Sequence, residues 1–272
     1  MALNQNLPSL FVPHGAPTFA LHPGATGTAL TRTACSLPLP QAIIVVSAHW
    51  DTEHVIVGMA EKPATIHDFR GFASELYSIQ YPASGSKAAG THILDRLRAA
   101  GIAASGDDQR GLDHGAWIPL RLMYPNADVP VIPLSIQSHL GTSHHLALGR
   151  ALAPLAAEGF LILASGNLTH SLKDYQYASL HDGTTPGYVR EFADWIWQRI
   201  ESNDTASLLA YRELAPDAAR AHPSEDHLLP LFVALGAAGN QYQAERFHTG
   251  VEDYVLAMDA FMFHYPFTDR HE

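Results

Sequence analysis

Short apolar runs rich in branched side chains recur along the chain and predict buried β-strands. Each run is five to eight residues long and has turn-forming or polar residues beside it. A strand that is covered on both faces has this continuous apolar pattern, whereas a half-exposed strand alternates. The runs are Leu7–Val12, Ala42–Ser47, Val55–Met59, Val129–Ile136 and Phe160–Ala164.

Other segments have apolar residues on one face at helical spacing. Their apolar positions recur three or four residues apart, which is the period of an amphipathic helix. The predicted helices are Ser86–Ala100, Ser143–Ala157 and Pro186–Ile200. The alternation of strands and helices predicts an α/β fold with a layered sheet. The aromatic segment Tyr254–Tyr265 fits either an edge strand or a helix.

The composition is that of a soluble globular protein. Apolar residues make up 47% and charged residues 16% of the 272 positions, and no run approaches the roughly 18 apolar residues of a membrane helix. No fixed-period repeat and no Pro-rich or Gly-rich linker divides the chain, so we expect residues 1–272 to form a single catalytic domain. Met1–Leu10 lacks a basic region followed by a long apolar run, which predicts a cytoplasmic location.

Charge, cysteine content and motifs exclude several classes of protein. The formal net charge is −11 and no basic stripe is visible, so we expect no nucleic-acid partner. The single cysteine, Cys35, excludes an internal disulfide and a Cys-rich zinc site. There is no glycine-rich phosphate loop, no Gly-x-Ser-x-Gly turn and no His-Glu-x-x-His helix. Histidine is abundant, with 17 residues against 16 Lys and Arg together, which points to metal or acid–base chemistry.

Three histidines directly follow predicted strands. They are His14, His49 and His170. In open α/β sheets ligands bind outside the carboxyl ends of the strands, so we expect these side chains to converge despite their separation in sequence. A histidine set with open coordination positions suits iron(II) oxygen chemistry or catalytic zinc, and the pattern alone does not choose between them.

Two further histidines lie in segments of unusual composition. Ser224 is a predicted helix N-cap, which would put Glu225, Asp226 and His227 in the first helical turn. The two carboxylates are either further ligands or partners of the helix dipole. His114 lies between glycines in an irregular loop and either points into a cleft or bonds to Asp113 as a turn histidine.

The remaining histidines and two phenylalanines have simpler interpretations. Phe69 and Phe72 lie in a Gly-containing loop and either pack in the core or line an apolar pocket. We expect a set of histidines to lie on the surface: His22, His54, His92, His144, His145, His181, His248, His264 and His271.

Six short motifs occur in one order from about Phe11 to the C-terminal segment and cover nearly the whole chain. They are Pro13-His-Gly-Ala-Pro, Ser47-Ala-His-Trp, His67-Asp-Phe-Arg-Gly-Phe with Tyr81-Pro-Ala, Gly111-Leu-Asp-His-Gly-Ala-Trp-Ile-Pro-Leu, Gly166-Asn-Leu-Thr-His and His222-Pro-Ser-Glu-Asp-His-Leu-Leu-Pro-Leu. Each string alone is weak, but the ordered set is specific. Together they resemble the class III extradiol ring-cleavage dioxygenases, and within them the DOPA 4,5-dioxygenase branch.

The resemblance implies a single-domain α/β/α sandwich around a mostly parallel or mixed central sheet, with a metal at the carboxyl ends of the strands. By position, His14, His49 and His227 match the family's metal ligands, and His227 stands where the protocatechuate-cleaving branch has Glu. His170 matches the catalytic histidine, which can also approach the metal, so its place as ligand or only as acid and base stays open. His114 matches a pocket histidine that contacts the substrate hydroxyl or the oxygen.

The activity implied is opening of a catechol ring, DOPA-like or other, with O₂ to a semialdehyde, in aromatic compound catabolism. The resemblance implies one divalent metal ion: Fe(II) for activity, in a site that Zn(II) also suits. The expected partners are the catechol and O₂, with no membrane partner, and a homo-oligomer is left open. Two alternatives remain, a zinc-dependent hydrolase that uses the same histidines and a noncatalytic metal-binding protein. Oxygen consumption distinguishes the dioxygenase from the hydrolase, and a catechol-dependent change at the metal site distinguishes it from a metal-binding protein.

Overall fold

A mixed β-sheet forms the centre of the protein, and helices cover both of its faces. The computed structural model describes residues 6–181 and 183–265. The strands there are β1 Ser9–Pro13, β2 Ala42–Asp51, β3 Val55–Gly58, β4 Ala104–Asp107, β5 Val131–Ile136, β6 Phe160–Gly166, β7 Gln243–His248, β8 Val251–Glu252, β9 Leu256–Ala257 and β10 Ala260–His264. The α-helices there are α1 Gly24–Ser36, α2 Ser74–Ser78, α3 Lys87–Ala99, α4 His114–Met123, α5 Gly141–Leu152, α6 Leu172–Leu180, α7 Gly187–Glu201, α8 Thr205–Leu209, α9 Tyr211–Leu214, α10 Ala218–Ala221 and α11 Leu229–Ala238.

Eight of the strands form one sheet in the order β4-β3-β5-β2-β6-β1-β10-β7. Its four inner strands β5, β2, β6 and β1 are parallel. Ile44, for example, lies opposite Ile132 on one side and Ile162 on the other. Strand β10 runs antiparallel to both β1 and β7, and β8 pairs with β9 in a separate hairpin. Because the inner strands are parallel, their carboxyl ends all lie at one edge of the sheet.

The two faces of the sheet form separate parts of the core. On β2, Ile43 and Val45 pack on the side that contains α1 and α4. Ile44 and Val46 point to the opposite side and pack with apolar residues of α3, α5 and α11. Burying each such side chain contributes about 1.5–3 kcal/mol. The result is an α/β/α sandwich, so the predicted fold class is confirmed.

Helices α5 and α11 cross at a point where each of them has a glycine. A Cβ atom on Gly149 would lie 2.1 Å from the carbonyl oxygen of Val233, and one on Gly236 would lie 2.1 Å from that of Leu146. The two backbones therefore touch, and α11 lies directly against strands β1 and β6. None of the helices in the described ranges combines the length and apolar character needed to cross a bilayer.

The predicted elements are present, with shifts at their ends. All five apolar runs contain strands, and the three predicted helices appear as α3, α5 and α7. The segment predicted as Ser143–Ala157 changes to a 3-10 helix over Ala153–Glu158, because Pro154 has no N–H with which to continue an α-helix. The segment Tyr254–Tyr265 contains strand β10, which lies inside the sheet between β1 and β7 and not at its edge.

Two expectations were wrong. The helix predicted to start at Ser224 begins at Leu229, so His227 lies in the preceding turn. Pro230 decides this start, because proline is favoured in the first turn, where its missing N–H has no helical partner. His145 is buried, not on the surface, and its Nε2 accepts the backbone N–H of Gln137 at 3.2 Å. The predicted surface position of His271 lies outside the described residues.

Candidate active site

Five histidines converge at the carboxyl ends of the inner strands. His14 follows β1, His49 lies near the end of β2, and His170 follows β6. His114 is the first residue of α4, and His227 lies in the turn before α11. The ring centres of His14 and His227 are 5.2 Å apart, and those of His49 and His114 are 4.0 Å apart. The structure thus brings together every histidine that the sequence nominated for the site.

His14 is buried, and its hydrogen bonds define which ring nitrogen carries a proton. Its Nδ1 lies 3.0 Å from Ser165 Oγ, while the Ser165 hydroxyl donates to the carbonyl of Gly115 at 2.5 Å. Because that hydroxyl has only one hydrogen to give, it accepts the Nδ1–H of His14. The Nε2 atom of His14 therefore carries a lone pair and lies 3.1 Å from Nε2 of His49.

His227, like His14, is hydrogen-bonded through Nδ1, but its partner is a carboxylate. Its Nδ1 lies 2.5 Å from a carboxylate oxygen of Asp226, which is an acceptor and so fixes the hydrogen on Nδ1. Its Nε2 is sealed from solvent and has no hydrogen-bond partner. The neighbouring Glu225 accepts a hydrogen bond from the hydroxyl of Tyr211 at 2.8 Å. Both carboxylates of this turn are thus occupied with side chains of the protein.

His114 bonds to a residue other than the one considered from sequence. Asp113 caps helix α4 by accepting the backbone N–H of Ala116 at 3.1 Å. The partner of His114 is Asp68, whose carboxylate oxygens lie 2.9 Å from its backbone nitrogen and 3.0 Å from its Nδ1. Asp68 was missed because 46 residues separate it from His114. The only available signal was a carboxylate beside His67 in a glycine-containing loop.

His170 lies flat against His227. The two rings are stacked with centroids 3.5 Å apart and an angle of 6° between their planes. The backbone N–H of His170 donates to the carbonyl of Ala221 at 2.8 Å, which ties this loop to the segment that precedes His227. His170 is also one of the residues that line the cavity beside these histidines.

Burial lowers the pKa of four of these imidazoles, so that they are neutral at neutral pH. Desolvation, followed by repulsion from His49, holds the pKa of His14 well below its usual range. Burial and then His114 lower the pKa of His49 to about 4. Burial also lowers the pKa of His170. Burial and then His170 lower the pKa of His227, although the adjacent Asp226 opposes the shift. Neutral imidazoles present lone pairs, which are what a metal ion or a proton requires.

A cavity of about 300 Å³ opens onto four of the histidines. Phe69 and Phe72 form part of its wall, so these two rings both line a pocket and pack against the core. Arg70 and Asp253 add one positive and one negative side chain to the lining. A flat aromatic molecule with polar substituents fits a cavity of this size and character.

The nitrogen donors fit a divalent transition metal. His14, His49 and His114 each offer one nitrogen within 4.8 Å of the others. His227 adds a fourth candidate, whose sealed Nε2 lacks any partner. An unpaired buried polar atom is costly, and a metal ion would satisfy it. Imidazole nitrogens suit iron and zinc alike.

Comparisons with known proteins identify the family of the chain. Residues 17–260 match the family described as the catalytic LigB subunit of aromatic ring-opening dioxygenase, whose members depend on a metal ion. A Beta vulgaris protein named 4,5-DOPA dioxygenase extradiol is 39% identical over 94% of this chain and 96% of its own length. An Escherichia coli K12 protein of the same name is 36% identical over 86% of each chain. The crystal structure of an uncharacterized Escherichia coli K12 protein superimposes with a TM-score of 0.78 at 30% identity, covering 94% of this chain and 99% of that one.

Proposed function

Because the chain belongs to the family of catalytic LigB subunits of aromatic ring-opening dioxygenases, we propose that its substrate is a DOPA-like catechol, which it opens with O₂ to a semialdehyde. The chain is an extradiol ring-cleavage dioxygenase, an oxidoreductase. The observation that supports the proposal best is the group of histidines at the end of an aromatic-lined cavity. We take residues 1–272 as its single catalytic domain.

The charged side chains of the cavity support a substrate that carries an α-amino acid group. Arg70 and Asp253 line the same cavity as the histidines. An α-amino acid carries one carboxylate and one ammonium group, and these two side chains complement that pair. Asp253 has a φ of 48°, and Tyr254 beside it has a φ of 66°. Residues other than glycine rarely adopt this left-handed conformation, so the turn that presents Asp253 is held under strain.

His14, His49 and His227 are the metal ligands in this proposal. The Nδ1 atoms of His14 and His227 are held from behind by Ser165 and Asp226, which directs both Nε2 lone pairs inward. Such outer partners orient ligating imidazoles in metal sites generally. His227 is preferred to His114 as the third ligand because its buried Nε2 has no hydrogen-bond partner.

The bound metal supplies a Lewis-acidic centre that lowers the pKa of the catechol hydroxyls and makes oxygen chemistry available. His170 borders the cavity and is kept neutral by burial, so it accepts a proton from the second catechol hydroxyl and returns it later in the reaction. His114 holds a substrate oxygen. Phe69 and Phe72 orient the ring and exclude water.

Fe(II) is the proposed active metal, although zinc also suits the donors. We further propose a cytoplasmic protein that works without a nucleic-acid or membrane partner, and its assembly into a homo-oligomer stays an expectation.

The test is anaerobic reconstitution with Fe(II), followed by DOPA, caffeate or protocatechuate and air. We expect oxygen uptake that matches the appearance of a yellow semialdehyde, with the highest kcat/KM for DOPA. Zinc-loaded protein is the control and should consume no oxygen. If the protein binds iron but takes up no oxygen with any catechol, the proposal is wrong, and a hydrolase or a metal-binding protein is favoured.

The role of His170 has its own test. We expect His170→Ala to retain about one iron per chain and to lose turnover by about 10²–10⁴-fold, the usual contribution of a positioned acid or base. His139→Ala is the matched control, since His139 is exposed and lies in the segment after β5. Loss of iron in the His170 variant would show that this residue is a ligand, and substantial activity would refute its role as acid and base.

A further inference from the structure

Asp68 lies in the loop between β3 and α2 and contacts two of the active-site histidines. One carboxylate oxygen accepts the backbone N–H of His114 at 2.9 Å, and the other lies 3.0 Å from Nδ1 of the same residue. That second oxygen is also 3.6 Å from Nδ1 of His49, which is beyond a normal hydrogen bond. The carboxylate is therefore committed to His114 by two bonds.

An ionised carboxylate can only accept hydrogen bonds. A carboxylate side chain is ordinarily charged at neutral pH, and one oxygen of Asp68 already accepts the backbone N–H of His114. The other oxygen lies 3.0 Å from Nδ1 of His114, so Nδ1 must supply the hydrogen of that bond. In a neutral imidazole the other nitrogen then carries the lone pair.

The surroundings of His114 hold its ring in one orientation. The ring of Phe69 packs edge-on against it with centroids 5.7 Å apart, and the ring of His49 lies tilted against it with centroids 4.0 Å apart. No residue other than Asp68 is recorded as a hydrogen-bond partner of the His114 ring within the described parts of the chain, so the choice of tautomer rests on that one carboxylate.

We propose that Asp68 is a positioning residue: it fixes His114 in the Nδ1–H form, so that the Nε2 lone pair faces the cavity and accepts the hydrogen bond of a catechol hydroxyl. The second half of this statement rests on the proposed function, whereas the first half is a property of the protein without metal or substrate. In this arrangement His114 acts as an acceptor toward the substrate.

Replacing Asp68 with Asn tests the tautomer directly. The backbone N–H of His114 still requires an oxygen, so the amide NH₂ of Asn turns toward Nδ1, and the hydrogen of His114 moves to Nε2. The probe is ¹⁵N NMR of histidine-labelled, metal-free protein, with the His114 signals identified by their loss in His114→Gln. We expect Nδ1–H in the wild type, Nε2–H in Asp68→Asn, and no change in Asp108→Asn, which removes an exposed carboxylate paired with Lys87.

Kinetics on the iron-loaded enzyme then separate positioning from a purely structural role. We expect Asp68→Asn to keep its iron content and its KM within about twofold and to lose kcat by about 10²-fold. The misplaced hydrogen removes the acceptor for a catechol hydroxyl, and that contact contributes more to the transition state than to substrate binding. A wild-type His114 with its hydrogen on Nε2, or an unchanged tautomer in Asp68→Asn, would overturn the proposal. The wild-type NMR spectrum tests the position of the hydrogen on His114 even if the Asp68→Asn variant does not fold. If no catechol is opened by any sample, the proposed function fails while the NMR result on Asp68 stands.

Discussion

Gly166 ends strand β6 at the point where the backbone of His227 passes over it. A Cβ atom added at position 166 would lie 2.1 Å from the carbonyl oxygen of His227 and 3.1 Å from its carbonyl carbon. Real Cβ contacts essentially never fall below 3.0 Å, so the two backbones must separate by about 1 Å. The Asn167 N–H donates to that same carbonyl oxygen at 3.0 Å, which means that the strain cannot be relieved without losing a hydrogen bond.

We therefore expect Gly166→Ala to displace His227 while leaving most of the fold in place. Overpacking of this kind costs about 1–3 kcal/mol of folding free energy, which corresponds to a fall of roughly 2–10 °C in Tm for a chain of this size. A displacement of about 1 Å in a proposed ligand should reduce kcat/KM by about 10²-fold. Metal affinity should fall in parallel if His227 binds the metal.

The assay combines calorimetry, iron content per chain and oxygen uptake with a catechol. Gly187→Ala is the matched control, because a Cβ there meets only the flexible carboxylate of Glu191 at 3.3 Å. We expect that control to keep its activity and its Tm. If Gly166→Ala also binds one iron and turns over at a rate within about twofold of the wild type, the idea that this crossing fixes His227 is wrong.

Three further predictions concern other parts of the molecule. Burial lowers the pKa of His145 to about 4, so the folded state disfavours the charged form of this side chain. The free energy of unfolding should therefore be highest above pH 6.5 and fall by up to about 3 kcal/mol as the pH drops toward 4. Urea unfolding of His145→Gln should lack this part of the pH dependence. Arg70→Gln should raise KM for DOPA but not for dopamine, because dopamine lacks the carboxylate; equal changes in KM for both substrates would contradict this pairing. Gly236→Ala should lower stability by about 1–3 kcal/mol, since its Cβ would meet a backbone oxygen of α5 at 2.1 Å; an unchanged Tm would show that the helices can separate freely.

The hydrophobic pattern by itself determined the architecture. Continuous apolar runs at Ala42–Ser47 and Phe160–Ala164 predict strands buried on both faces, and they occupy neighbouring inner positions of the sheet. Parallel strands that are covered on both faces leave only their ends for ligands, so the convergence of His14, His49 and His170 followed from position in the chain. The composition of their local segments added His114 and His227 as candidates, and the ordered motifs assigned both to the same group.

Tertiary structure decided what each of those histidines can do. Nothing in the local pattern indicates that Asp68 would lie against His114, since 46 residues of chain separate them. The same holds for Ser165 behind His14, which comes from a strand 151 residues away. The tautomer, the pKa and the free lone pair of an imidazole depend on its partners and its burial, and these arise only when distant segments pack together. Sequence thus specified which histidines reach the site, and long-range packing determined their chemistry.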